Sequence, residues 1–177
     1  MKKFLPLLLI LISSVFIFSC KDDDDDYVEV NVDYPTVYDL NINLVQNAPD
    51  YFGYNQVFNG SLLNQDIVLV YRKSNPSESA PIWEPLPKTY FFNGGAMDYT
   101  FNFTTTDVQI DLRSDFDLAS QDAAFRSAYL NGQTFRVVLV PAVFGTGKNA
   151  NNVDPRTLSY EEVIAKYNID DSKIGKL

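Results

Sequence analysis

Four aspartates fall inside the stretch DLRSDFDLASQD, at Asp111, Asp115, Asp117 and Asp122. Carboxylates so spaced supply the hard oxygen donors that calcium takes, which makes Asp111, Asp115 and Asp117 a candidate metal set. The stretch lacks the glycine and closing glutamate of an EF-hand loop, and Asp117 or a neighbour serves equally well near a helix start. The rest of the inventory is poor in chemistry. There is no histidine, so Ser-His-Asp and Cys-His nucleophile systems, histidine zinc sites and the commonest general base near neutral pH are missing. Catalysis would have to rest on carboxylates, lysine or tyrosine. Two carboxylates across a sugar bond make a glycosidase, but with 23 acidic residues any two can fall close by chance, and no pair stands out. GTGKN, residues 145–149, fails as a phosphate loop: the earlier glycine is missing, and Asn149 stands where Ser or Thr would bind magnesium. These residues point to a protein that is not an enzyme and carries no cofactor.

Aromatic side chains offer a different chemistry. Trp83, Tyr90, Tyr99 and Phe101 are placed to stack against sugars, although period-two spacing is more simply read as core packing. Trp83, between Pro81 and Pro85 in an edge-like segment, is the exception and the candidate ligand contact for a glycan.

The single cysteine, Cys20, has a particular setting. Met1-Lys2-Lys3 is a short cationic start, and Phe4–Phe18 is apolar apart from Pro6, Ser13 and Ser14. That is the pattern of a secretory signal peptide, with an apolar core short for a membrane span. Ile17-Phe18-Ser19-Cys20 resembles a lipobox, with Phe18 bulkier than the usual occupant. In bacterial lipoproteins this thiol takes a diacylglycerol and cleavage makes it the new N-terminus; two or three acyl chains, at about 0.8 kcal/mol per buried methylene, give stable anchoring. Cys20 is thus expected to be an attachment point and not a nucleophile. Lys21 and Asp22, Asp23, Asp24, Asp25 and Asp26 follow at once, and adjacent like charges keep such a segment extended and solvated.

The division expected is a cleaved leader over 1–19, a lipidated cysteine and acidic linker over 20–35, and one domain over 36–177. Loss of Lys2 and Lys3 with the leader takes the formal charge from −9 to −11. An acidic chain without a basic patch suits neither nucleic acid nor electrostatic adhesion to anionic lipid.

Along the domain, Tyr38, Leu40, Ile42 and Leu44 alternate with polar residues as in a half-buried strand. Residues 47–64, rich in Asn, Gly and Tyr, read as a loop or an irregular edge. Ile67–Tyr71 and Val137–Val140 are continuous apolar runs of the kind found in strands covered on both faces. Thr89–Phe92 and Asp98–Phe103 flank the turn-forming Asn93-Gly94-Gly95, and Asp107–Leu112 alternates again. Ser120–Leu130 predicts a helix stopped by Asn131-Gly132. Ser159 and Glu162 form a capping box, with Leu158 stapling onto Val163, and Tyr160, Val163, Ile164 and Tyr167 share one face of a short helix. The sum is an all-β fold: an Ig-like β-sandwich of six or seven strands with two short helices.

DIVLVYRK, WEPLPKTYFFNGG, YTFNFTTTDVQIDL and FRVVLVPAVFG, in that order across about Ile67 to Gly145, resemble a group of Bacteroidota outer-membrane lipoproteins without an established activity. Some members look like they carry a collagen-like spacer after the lipidated cysteine, where this chain has its aspartates. The lysine and acidic run after Cys20 likewise resembles the surface-export signal of such lipoproteins. The resemblance implies a folded domain on a lipid stalk; the export-like signal adds an outward face, and the anchor together with the lack of catalytic residues leads us to expect an outer-membrane protein partner. It implies no catalytic residue.

Overall fold

Alternation and apolar runs in the sequence become strands with the expected faces. The computed structural model describes residues 37–64, 66–75, 80–140 and 153–175, all within one unit spanning Val32–Leu177. The strands are β1 (Val37–Ile42), β2 (Val45–Ala48), β3 (Tyr51–Val57), β4 (Ile67–Lys73), β5 (Trp83–Pro85), β6 (Lys88–Phe92), β7 (Gly95–Phe103), β8 (Asp107–Ser114) and β9 (Gln133–Val140). Two helices, α1 (Ala123–Tyr129) and α2 (Tyr160–Tyr167), complete the regular elements with a 3-10 turn at Pro155–Thr157. A four-stranded sheet runs β1-β9-β4-β5 and a five-stranded sheet β2-β3-β8-β7-β6, with every pairing antiparallel.

The two sheets bury a shared core. Leu40, Val70, Phe135 and Val137 from the first meet Phe52, Tyr99, Ile110 and Leu112 from the second. Val108, Ile110 and Leu112 are fully buried, so the period-two reading of β8 holds. The four-stranded sheet is also covered on its outer face, where Val37, Leu69, Tyr71, Val138 and Val140 pack with Tyr160 and Val163 of α2 and with Ile169. That second layer is why β4 and β9 read as unbroken apolar runs: both of their faces are dry. Burial of each such side chain contributes about 1.5–3 kcal/mol.

The sandwich expectation holds, while the number and extent of elements differ from the sequence reading. There are nine strands among the described residues, not six or seven. The excess lies partly in residues 47–64, expected to be a loop or an irregular edge but containing the interior strand β3 as well as the end of the irregular edge strand β2. β3 is an interior strand, paired over its whole length with β8. Gly53 disguised it, and its reason lies elsewhere in the chain. A Cβ there would stand 2.9 Å from Gln109 Nε2, 3.1 Å from Asp111 Oδ1 and 3.2 Å from Asn47 Nδ2. Helix α1 is shorter than Ser120–Leu130, because Asp117 caps a separate turn at Ala119 and Ser120 while Asp122 caps the helix itself at Phe125. Gly132, at φ 61°, lies just beyond that helix as expected. The capping box of α2 forms with both of its hydrogen bonds.

Among the described residues Arg72 places a charge between the two sheets. Arg72 of β4 is 5 % exposed, and its guanidinium reaches four elements. It donates to Gln133 Oε1 of β9 at 3.1 and 2.6 Å, to the Tyr90 hydroxyl of β6 at 2.9 Å and to the Ala128 carbonyl of α1 at 2.7 Å. Its carbon lies 4.9 Å from the centroid of Tyr99 and 5.6 Å from that of Tyr129. Glu84 of β5 balances the charge at 4.0 Å. A buried ion with its partners in place is stable, but removing one member strands the others. Replacing Arg72 with methionine is expected to lower the unfolding free energy by about 3–5 kcal/mol, read from urea denaturation. A loss below about 1 kcal/mol would show that the guanidinium is not what ties these elements together.

Candidate binding site

Among the described residues, three of the places that gather aromatic and polar side chains differ in what is left over for a ligand. Around Arg72 almost nothing is. Burial and the hydrogen bond to Glu84 push the Tyr90 hydroxyl up to about 12, against the opposing pull of Arg72. Tyr99, wholly buried, is raised further and donates its hydroxyl to the Tyr129 carbonyl. For Glu84 burial acts upward, but hydrogen bonds from Tyr90 and Lys88 outweigh it and hold the carboxyl below its ordinary value. Each group is spent on another.

The second place is the outer face of the four-stranded sheet. Arg136 of β9 forms a two-pronged pair with Asp39 of β1 at 2.7 and 2.8 Å and donates to the Tyr160 hydroxyl of α2 at 2.8 Å. Tyr160 in turn donates to Asp171 at 2.7 Å. Trp83 lies here, half-buried, with the Arg136 guanidinium 4.2 Å from its ring centroid and Tyr160 at 5.8 Å. The expected edge position of Trp83 is met by β5, which pairs only with the end of β4. A platform joining Trp83 with Tyr90, Tyr99 and Phe101 does not form, because the latter three pack at the inter-sheet core and Trp83 on the opposite side of the sheet.

The third place retains unfilled space. The hairpin joining β6 to β7 turns at Asn93-Gly94, with Gly94 at φ 110° in the left-handed region that favours glycine. At Gly95 a Cβ would stand 1.9 Å from Asp115 Oδ1, so glycine is what lets that carboxylate accept from the Ala96 N–H at 2.8 Å. The hairpin, the loop after β8 and the start of α1 then enclose a pocket of about 260 Å³. It is lined by Phe92, Asn93, Gly94, Gly95, Phe116, Gln121 and Phe125. The three phenylalanine rings contact each other, with centroids 5.6–6.0 Å apart and planes steeply inclined. No lining residue is titratable.

The candidate calcium ligands are not brought together. Asp111 accepts from the Tyr51 hydroxyl at 2.7 Å and from Gln109 Nε2 at 3.0 Å on the outer face of β8, whereas Asp115 and Asp117 cap backbone N–H groups. Among the described residues no three acidic, cysteine or histidine side chains sit close enough to hold a metal ion. Cys20, Lys21 and Asp22–Asp26 lie outside the described residues, as does the 145–149 loop. Among the described residues no helix is long and apolar enough to cross a membrane. Sequence reasoning missed the pocket because its three rings come from three separate elements, although an aromatic hairpin near an aspartate-rich loop was there to notice. No family model, curated protein or solved structure matches the chain.

Glu84 yields a pH test. Its folded pKa lies below the unfolded one, so its contribution is complete above about 4.5 and is lost as pH falls through the folded value. The stability advantage of the wild type over Glu84→Gln should therefore narrow between about pH 5 and pH 3, measured by urea midpoints. An advantage that stays constant or widens on acidification would contradict the pairing with Tyr90 and Lys88.

Proposed function

We propose that this chain is a lipid-anchored, non-catalytic binding domain of the outer membrane, facing outward and joining another envelope component such as an outer-membrane protein complex or the surface layer. The observation that carries the binding role is the pocket: it offers three aromatic rings and two amide side chains but no acid, base or nucleophile. The buried arginines, by contrast, are committed to holding elements together. The anchor rests on the run from Phe4 to Cys20, and the outward face on Lys21 and the five aspartates that follow. A glycan-binding module is the second reading. It draws on Trp83, whose half-buried indole keeps some surface even with Arg136 stacked against it.

In the native host, an alkyne analogue of palmitate should label the wild type and leave Cys20→Ser unlabelled. Protease added to intact cells should remove the wild-type domain but spare a variant with Asp22–Asp26 changed to alanine. Label retained by Cys20→Ser would overturn the anchor, and equal protection of both proteins would overturn the outward face. A defined hydrolytic activity abolished by a single Asp or Glu substitution would overturn the non-catalytic assignment.

A further inference from the structure

We infer that the phenylalanine pocket takes an organic cation, an ammonium or guanidinium head group. The inference rests on reading the pocket as the binding site. Aromatic faces carry negative charge density, and a cation placed over such a face within about 6 Å of the ring centroid is attracted to it. Phe92, Phe116 and Phe125 have centroids 5.8, 5.6 and 6.0 Å apart and all line the pocket, so a small cation inside it stands near each ring and gains where a ring face is turned to it. The planes of Phe92 and Phe116 meet at 79° and those of Phe116 and Phe125 at 81°, forming walls and not a single stack.

The surroundings choose among ligands that such rings would accept. Asp115, Asp117 and Asp122, all exposed, flank the lining residues Phe116 and Gln121 in sequence. Each carboxylate is fixed through one oxygen: Asp115 to Ala96 N–H at 2.8 Å, Asp117 to Ala119 and Ser120 N–H at 2.8 and 3.1 Å, and Asp122 to Phe125 N–H at 2.8 Å. From Asp115 to Arg126 the chain carries three carboxylates and one guanidinium, that of Arg126, which donates to the Ala119 carbonyl at 3.2 Å. Gln121 gives its N–H to the Asp117 carbonyl at 2.7 Å, which leaves its own carbonyl oxygen to accept from the guest. An anion would be repelled, and a neutral ring would gain contact but no charge attraction. The pocket volume admits a head group or one side-chain tip and not a folded polymer.

Amide shifts of the isotopically labelled full chain would be followed during titration with three probes. These are choline, its uncharged isostere 3,3-dimethylbutan-1-ol, and Nα-acetyl-lysine amide. A cation is expected to shift Asn93–Gly95 and Gln121–Phe125 saturably, with the alcohol about tenfold weaker. Raising salt from about 20 to about 500 mM should weaken the cation and not the alcohol. Asp122→Asn, which keeps a good N-cap, and Phe125→Leu should each reduce cation affinity several-fold. Response to choline alone identifies a free quaternary ammonium, and response to the lysine amide identifies a side chain of a partner. Equal binding of alcohol and choline, or no shift by either cation, would overturn the inference. If cations fail while Phe125→Leu still abolishes a defined crosslinked adduct on intact cells, the binding-domain reading stands and only the ligand chemistry is wrong.

Discussion

The guanidinium of Arg72 is the constraint around which the rest is arranged. It projects from β4 into the space between the sheets, where an unpaired charge would cost several kcal/mol. Its neighbours remove that cost by converging on it: an amide from β9, a hydroxyl from β6, a carbonyl from α1 and a carboxylate from β5. Tyr99 and Tyr129 add their rings beside its charge. The consequence reaches the pocket. Helix α1 is only seven residues long and has no fully buried side chain, too little to persist alone. Its last turn is held through the Ala128 carbonyl, and its first turn supplies Phe125 to the pocket wall.

Arg136 plays a parallel part on the other side of the same sheet. Its charge is met by Asp39 and its remaining donor by Tyr160, which fastens α2 over β9 and β1. Burial acts to lower its pKa, but the bonds to Asp39 and Tyr160 more than reverse this, so it stays charged. Burial likewise raises Tyr160, and its hydrogen bond to Asp171 raises it further, so the hydroxyl stays protonated as donor to that carboxylate. The four-stranded sheet thus carries two arginines with opposite assignments: one locks sheet to sheet and the other locks sheet to helix. Neither takes part in lining the pocket at the hairpin end of the five-stranded sheet.

How legible this was in the sequence depended on the range of the cause. β4 and β9 could be read directly, since unbroken runs of five and four apolar residues, mostly β-branched, suit a strand covered on both faces, and the Ser159–Glu162 box is a rule of four adjacent residues. Arg72 ends such a run and Arg136 stands just before one, and a charge inside a dry strand is itself a signal that partners must exist. Their identity was not legible, because Gln133, Ala128 and Asp39 are brought in by tertiary structure. β3 was hidden for a similar reason: its glycine answers to side chains of β8 and β2. The aspartates of the DLRSDFDLASQD stretch read as metal ligands by type, yet Asp117 and Asp122 serve as local caps and Asp115 accepts from the Ala96 N–H of the neighbouring hairpin. Caps and ligands use the same atoms, and only the fold distinguishes them.

The claim that most needs testing is that Arg72 holds α1 and thereby shapes the pocket. Hydrogen exchange of the full chain, compared between wild type and Arg72→Lys, addresses it directly, because lysine keeps the charge and loses the planar fork. The account requires amides of α1, from Phe125 to Leu130, to lose protection in the variant while those of β8 and β9 keep theirs. Unchanged protection across α1 would mean that its aromatic contacts suffice and that the guanidinium does not position the pocket wall.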